Sequence, residues 1–400
     1  MVYYVSQTNL IKLSVIRELF MKTKNKVRKV LLIIPIALLC VILVLWISAY
    51  IGFKCGSVTN AQAFQRRFDA AVAPKNIHEA ILLVENTTGD FSVSYGYGGR
   101  NTDSPIVIAS VTKMFTATCV IKLAEEGRLS LDDKICQYMD DDILSGLHVY
   151  KGAEYSYCLT VSDLLFQTSG LPDYFWNSEL VRSAIFDRDA YISFDQLIEE
   201  TKKLPPRFAP NTGRAYYADI NYDILGVILE KVTGLPLNEL YQQYIFEPLG
   251  MDNTYLPVND NDPVPHVYNG MDKLERPLFI ASCRASGGCV STARDLIVFS
   301  KVFWSGKLFD SKTFELLAVY RNLQPDMGPV SYGGGYMRIP LGGMNTFFLA
   351  SGELVGHSGS TGSFVFYYPE KDLHFAGDLA QFENPSAVIR FVIQLAMSAK

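Results

Sequence analysis

The sequence predicts an α+β fold: an antiparallel sheet flanked by helices, with a mostly helical subdomain, preceded by one N-terminal transmembrane helix. Three observations carry that reading. Alternating apolar residues with turn signals run from Ile77 to Gly96, and from Tyr332 onward glycine turns alternate with short strands, so the two ends of the folded chain complete one sheet. Helical spacing and loops fill the portion between, with a helical insertion at about 129–284. An uncharged apolar run from Val30 to Phe53 precedes everything else.

That run comes first in the chain. Lys22, Lys24, Lys26, Arg28 and Lys29 cluster directly before it, and Lys54 closes it. About 20 apolar residues suffice to cross a bilayer core. The apolar part of a cleaved signal peptide is usually about 7–15 residues long. The run is longer and no small-x-small cleavage site follows, so it reads as an uncleaved signal anchor. Residues 1–29 are then a cytoplasmic segment, 30–53 the single-pass anchor, 54–75 a juxtamembrane spacer, and 76–400 the domain outside the cytoplasm. Cys55 follows Phe-Lys, not the small residues that precede a lipidated cysteine. Met21-Lys22-Thr23-Lys24 reads as an ordinary protein start. Residues 1–20 are therefore either an upstream extension or a short amphipathic segment.

Two strands follow, joined by Asn86-Thr87-Thr88-Gly89-Asp90. Pro105-Ile106-Val107-Ile108-Ala109 reads as an extended approach to a helix. From Ser110 onward Met114, Phe115, Cys119, Val120 and Leu123 recur at helical spacing, and Gly127 supplies a stop. Further helices are expected at Val161–Gln167, at Asn221–Thr233 closed by Gly234 and Pro236, and after Ser291 to about Ser305. A last helix starts at Ser386.

Composition narrows the function. Four hundred residues with 49% hydrophobic content can bury a large core. A net charge of −5 argues against a nucleic-acid binder, which normally carries a basic face. The five histidines are scattered and no Cys/His spacing matches a zinc site, so neither metal nor cofactor is expected. Cys283 and Cys289 are close enough, with Gly287-Gly288 between them, to invite a disulfide in an exported domain.

Ser110-Val111-Thr112-Lys113 places a hydroxyl and an amine three residues apart at a helix start. Residues at i and i+3 share a helix face, so the amine reaches the hydroxyl. Free backbone N–H groups and the positive end of the dipole lie beside the serine, which suits a nucleophile whose attack creates an oxyanion. Two fixed letters also describe an exposed serine and lysine on any helix, so partners elsewhere decide the matter.

Those partners occur in order. After Ser110-Val-Thr-Lys113 come Leu129-Ser-Leu-Asp-Asp133 and Leu164-Leu-Phe-Gln-Thr-Ser-Gly-Leu-Pro172. Then follow Tyr217-Ala-Asp219, Tyr222-Asp-Ile-Leu-Gly226, Glu230, Val232-Thr-Gly234 and Pro248-Leu-Gly-Met251. Gly287-Gly288, Ser291-Thr-Ala-Arg-Asp295 and Gly356-His-Ser-Gly-Ser360 complete the series. Over residues 76–380 the chain resembles the serine β-lactamase and penicillin-binding-protein superfamily, closest to its class C β-lactamase-like branch of esterases and D-amino-acid peptidases.

The resemblance implies a β-lactamase/transpeptidase-like fold and a serine hydrolase working through an acyl-enzyme on a peptide, amide or ester. Cell-wall D-amino-acid peptides of a bacterium are one such substrate. It implies Ser110 as nucleophile, Lys113 or Tyr217 as its base, and the backbone N–H groups of Ser110 and Ser360 as the oxyanion hole. Asp219, His357, Ser358 and Gly359 fall at substrate-binding positions. Two departures matter. Asp219 stands where many relatives have asparagine, and an ionised aspartate only accepts hydrogen bonds. It suits either Lys113 or a substrate amino group. If it pairs with Lys113 it raises the lysine's pKa and shifts the base role toward Tyr217. His357 stands where many relatives have lysine, and histidine titrates near neutrality. That departure weakens the case for an efficient β-lactamase. A β-lactamase and a penicillin-binding sensory module with little turnover remain the alternative readings, and the oligomeric state stays open.

Overall fold

The computed structural model describes residues 59–259 and 261–399, together with 21, 31 and 33–48. The chain divides into two compact units, Met1–Ser57 and Val58–Lys400. In the first, residues 33–48 are helical and their apolar side chains are exposed. Among the described residues no helix is long and apolar enough to cross a membrane. The predicted transmembrane helix is therefore corrected. Its remaining positions 30, 32 and 49–53, Cys55, and the cytoplasmic segment apart from Met21 lie outside the described residues.

The second unit is built on one eight-stranded antiparallel sheet. Its strands are β1 (Ala80–Glu85), β2 (Ser92–Tyr97), β3 (Arg321–Asn322), β4 (Ser331–Tyr332), β5 (Met337–Pro340), β6 (Glu353–Ser358), β7 (Ser363–Tyr368) and β8 (Leu373–Asp378). Their order is β2-β1-β8-β7-β6-β5-β4-β3. Ile81 lies opposite Asp378 and Glu85 opposite His374, so the first strand pairs with the last. Strands from the two ends of the unit do complete one sheet, and the α+β expectation fits. Edge strand β2, SVSYGY, is half exposed, whereas β7 and β8 are buried on both faces.

Both faces of the central strands are covered. His374 points to α4 (Ala293–Trp304), where its Nδ1 meets the Ser300 hydroxyl at 2.8 Å. Its neighbour Phe375 points the other way, as strand alternation requires. There it packs edge-on against Phe64 of α1 (Asn60–Val72), 5.9 Å between centroids. The C-terminal helix α5 (Ser386–Ser398) shares that layer with α1.

Helix α2 (Thr112–Glu125) carries the Ser-x-x-Lys segment. Every side chain from Thr112 to Ile121 is buried, which is the pattern of a helix enclosed on all sides. Its threonines meet that environment with hydrogen bonds: Thr116 donates to the Ala285 carbonyl and Thr118 to that of Met114. Gly127 follows the helix with φ +69°, the left-handed conformation the predicted stop requires. Helix α3 (Ile220–Thr233) ends on Gly234 at φ +73° as expected. The extended approach, by contrast, stops at Ile106–Val107, and Ala109 turns sharply at φ +43°.

The invited disulfide does not form. Cys283 and Cys289 both carry free thiols. A helical turn, Arg284–Gly287, intervenes and sends them to different places. Cys289 is buried with its N–H donating to Thr112 Oγ1, while Cys283 faces a cleft beside Ser110.

Candidate active site

Ser110 sits in a 3-10 turn, Ala109–Val111, that runs directly into α2. The left-handed Ala109 before it is a strained conformation for a residue with a Cβ. It turns Ser110 into a cleft while Ala109 itself stays buried. One helical turn on, Lys113 is completely buried. Its Nζ donates to Ser110 Oγ at 3.1 Å and to the Ser286 carbonyl at 2.5 Å, and it pairs with Asp219 Oδ1 at 2.6 Å. It also lies 5.1 Å from the centre of the Tyr217 ring. Ser110, Lys113, Tyr217 and Asp219 are thus brought together.

The electrostatics follow from burial and charge. Burial alone would depress the Lys113 amine, but the Asp219 carboxylate and then Tyr217 outweigh it and hold the amine above its ordinary value. Lys113 is therefore an ammonium. Burial pushes the Tyr217 phenol up to about 12 against the opposing pull of Lys113. The Tyr217 hydroxyl is buried with no well-formed hydrogen bond among the described residues, although Ser110 and Lys113 are its neighbours.

Tyr217 is held by residues far away in sequence. Gln167, in a left-handed conformation at φ +59°, accepts the Tyr216 N–H on its carbonyl. Its Oε1 accepts the Ala218 N–H at 3.0 Å and Asn221 Nδ2 at 2.5 Å. Gln324 Oε1 accepts the Tyr217 N–H at 3.0 Å. None of these anchors was singled out from the sequence, although Gln167 lies inside the Leu164–Pro172 motif.

The opposite wall is the turn between β6 and β7. Thr361 Oγ1 donates to the Val107 carbonyl and Ser363 Oγ to that of Ile108, both at 2.7 Å. These two buried hydroxyls fasten the turn to the segment leading into Ser110. Gly359 makes the close approach possible. A Cβ there would lie 2.6 Å from the Ile108 carbonyl oxygen and 2.9 Å from Ala109 Cβ. Gly359→Ala is therefore expected to push Ser360 away from Ser110; with the Ser360 N–H as the oxyanion donor the resemblance implies, kcat falls by about 10²–10³-fold, the usual cost of one such donor. Steady-state kinetics on a short ester checks it.

His357 is placed elsewhere. Strand alternation sends Ser358 into the groove and His357 to the other side, where its ring is completely buried. Its Nδ1–H donates to the Ser358 carbonyl at 2.8 Å, and Nε2 faces the Tyr332 hydroxyl at 3.4 Å. Burial, with the Lys113 charge, depresses it to about 3, so it is neutral near pH 7. The ring therefore does not present the titrating cation to the groove that the sequence led one to expect.

Two spaces meet at Ser110 and Ser360. One is a narrow cleft of about 40 Å³ walled by Phe175, Ile185, Phe279 and Phe382. The other is an open groove of about 640 Å³, lined by Tyr217, Asp173, Asp219, Trp176, Ser358 and Gly359 among others.

The Beta-lactamase family model matches residues 66–390. A protein of Escherichia coli strain K12 described as "Putative D-alanyl-D-alanine carboxypeptidase" is 31% identical over 212 residues, covering 52% of this chain and 44% of that one. Protein flp of Staphylococcus aureus strain MRSA252 is 30% identical over 197 residues, covering 46% and 35%. The chain thus spans less than half the length of these relatives. Among solved structures, a D-stereospecific amidohydrolase from Streptomyces sp. superposes with a TM-score of 0.69 at 24% identity, covering 82% of this chain and 97% of that one. The D-amino acid amidase from Ochrobactrum anthropi SV3 gives 0.68 at 22% identity, covering 85% and 98%. At these identities the structural matches establish the fold.

Proposed function

Because the chain belongs to the Beta-lactamase family, we propose that it is a serine hydrolase that opens amide or peptide bonds through an acyl-enzyme on Ser110. One observation carries the reading: the Lys113 ammonium bridges Ser110 Oγ at 3.1 Å and Asp219 at 2.6 Å in a pocket closed to water behind it. The similar proteins, a D-amino acid amidase and a "Putative D-alanyl-D-alanine carboxypeptidase", support an amide or peptide as substrate.

In this reading Ser110 Oγ attacks the carbonyl carbon, whose oxygen turns toward the Ser110 and Ser360 N–H groups. Lys113, kept charged by Asp219, does not take the serine proton. It stabilises negative charge building on Oγ. Tyr217 receives that proton as it passes its own to the departing nitrogen, so no free phenolate forms. Water then attacks the ester carbon and returns the proton to Ser110. The neutral, buried His357 leaves no cation at the position where a lactam carboxylate would be expected to anchor, which favours amides and peptides over lactams. The test is turnover of an aminoacyl anilide, a short ester and a penam by the full chain. Fastest turnover per bound substrate on the anilide or ester is expected. Rapid loss of the penam alone would replace this reading with a β-lactamase.

A further inference from the structure

Three carboxyl groups surround the buried Lys113 beside Ser110. Asp173, Asp219 and Asp223 are all buried around Lys113. Asp219 takes the ion pair, and Asp223 accepts the Tyr174 hydroxyl at 2.6 Å. Asp173 is 8% exposed and lines the groove with Ser110, Tyr217 and Asp219. Its contacts are backbone amides, the Asp219 N–H at 3.2 Å and that of Phe175, and among the described residues no cation pairs with it. The unpartnered Tyr217 hydroxyl lies in the same wall. A carboxylate built into a reaction pocket without a counter-ion, beside an orphaned hydroxyl, is the arrangement of a site completed by its ligand.

We propose that Asp173, with Asp219, binds the free ammonium group of an α-amino amide or peptide whose carbonyl is presented to Ser110. The inference rests on Ser110 being the nucleophile and adds which substrates it accepts. The ammonium is one carbon from the carbonyl, so anchoring it fixes the reacting carbon over Oγ. The aromatic cleft walled by Phe175, Phe279 and Phe382 then takes an apolar side chain. Asp173 faces Lys113 and Asp219 from neighbouring elements, and Asp326, Glu383 and Arg390 line the same groove. Burial and then the Asp219 charge push its carboxyl up to about 7. A bound ammonium reverses that shift, so binding near pH 7 releases a proton.

The experiment uses Asp173→Asn, which keeps an acceptor oxygen for the Asp219 N–H. An aminoacyl anilide is compared with its des-amino counterpart. Wild type is expected to prefer the free amine, and Asp173→Asn to lower kcat/KM for it by about tenfold to a hundredfold more than for the des-amino substrate. The wild-type advantage should grow as pH rises through 7 and vanish from the variant's profile. Equal losses on both substrates, or no preference in wild type, would overturn the ammonium site while Ser110-dependent turnover of the des-amino substrate still upheld the nucleophile. Failure to turn over either substrate would strike the nucleophile itself. Should the variant not fold, calorimetry of the wild type with α-amino and des-amino boronic acids in two buffers decides: extra proton release with the amine supports the site, and none overturns it.

Discussion

Ser110→Ala is expected to lower kcat on every amide or ester substrate by about 10⁴-fold or more, the scale on which loss of a serine nucleophile is felt in other hydrolases. The reason is that, among the described residues, Ser110 is the one serine whose hydroxyl meets the Lys113 ammonium. Ser286 Oγ donates to the Cys283 carbonyl at 2.9 Å, and Ser358 Oγ faces the Met337 sulfur at 3.8 Å. Ser363 is fastened to Ile108 and fully buried. Removing one partly buried Oγ costs Lys113 a single hydrogen bond and leaves its contacts with Asp219 and the Ser286 carbonyl. Stability should therefore change little, and circular dichroism should be unaltered. Turnover within tenfold of wild type would mean that another group does the attacking.

Lys113→Ala is the second large effect, and it falls on stability as well as rate. Taking one partner from a buried ion pair typically costs about 3–5 kcal/mol, because the other charge is left without compensation. Here three buried carboxylates lose their shared cation. Asp173 and Asp223 already sit near 7, above the ordinary carboxyl range, because burial outweighs the pull of Lys113. Without Lys113 both move further up. A carboxyl whose folded pKa exceeds its unfolded one binds more protons folded, so stability falls as pH rises from about 4 through the folded value. The deficit should be larger at pH 8 than at pH 5 in urea denaturation. A variant as stable as wild type at pH 8 would contradict the buried-pair account. Asp219→Asn separates the two roles of the lysine. With its carboxylate partner gone, burial drags the Lys113 amine down, and the alkaline limb of kcat/KM moves to lower pH if the ammonium is the working form. An acid limb that moves to lower pH instead would return the base role to Lys113, whose neutral form would then be the working one.

Much of this site was legible because it is written locally. Ser110 and Lys113 share a helix face, and Tyr217-Ala-Asp219 is a contiguous motif, so short-range spacing exposed them. Gln167, Thr361 and Ser363 were not legible, since each works through a contact 49 to 255 residues away along the chain. Asp173 directly follows the Gly170-Leu171-Pro172 motif, but only the fold shows that its carboxylate meets the Asp219 backbone. His357 could have been placed from pattern alone. In a strand, a groove-facing Ser358 forces its neighbour to the other side. The membrane helix rested on counting apolar letters, and among the described residues no helix is long and apolar enough to cross a membrane. The sheet's closing pair, β1 against β8, was expected only from strand signals at both ends of the unit, and the fold supplies the pairing.

Intact-mass spectrometry on the acid-quenched full chain, mixed for seconds with an α-amino ester or a penam, bears most directly on the central claim. The expected result is a mass increase equal to one acyl group, mapped by proteolysis to the peptide containing Ser110 and absent from Ser110→Ala. Label on any other residue, or undiminished turnover by Ser110→Ala with no adduct on the wild type, would contradict it.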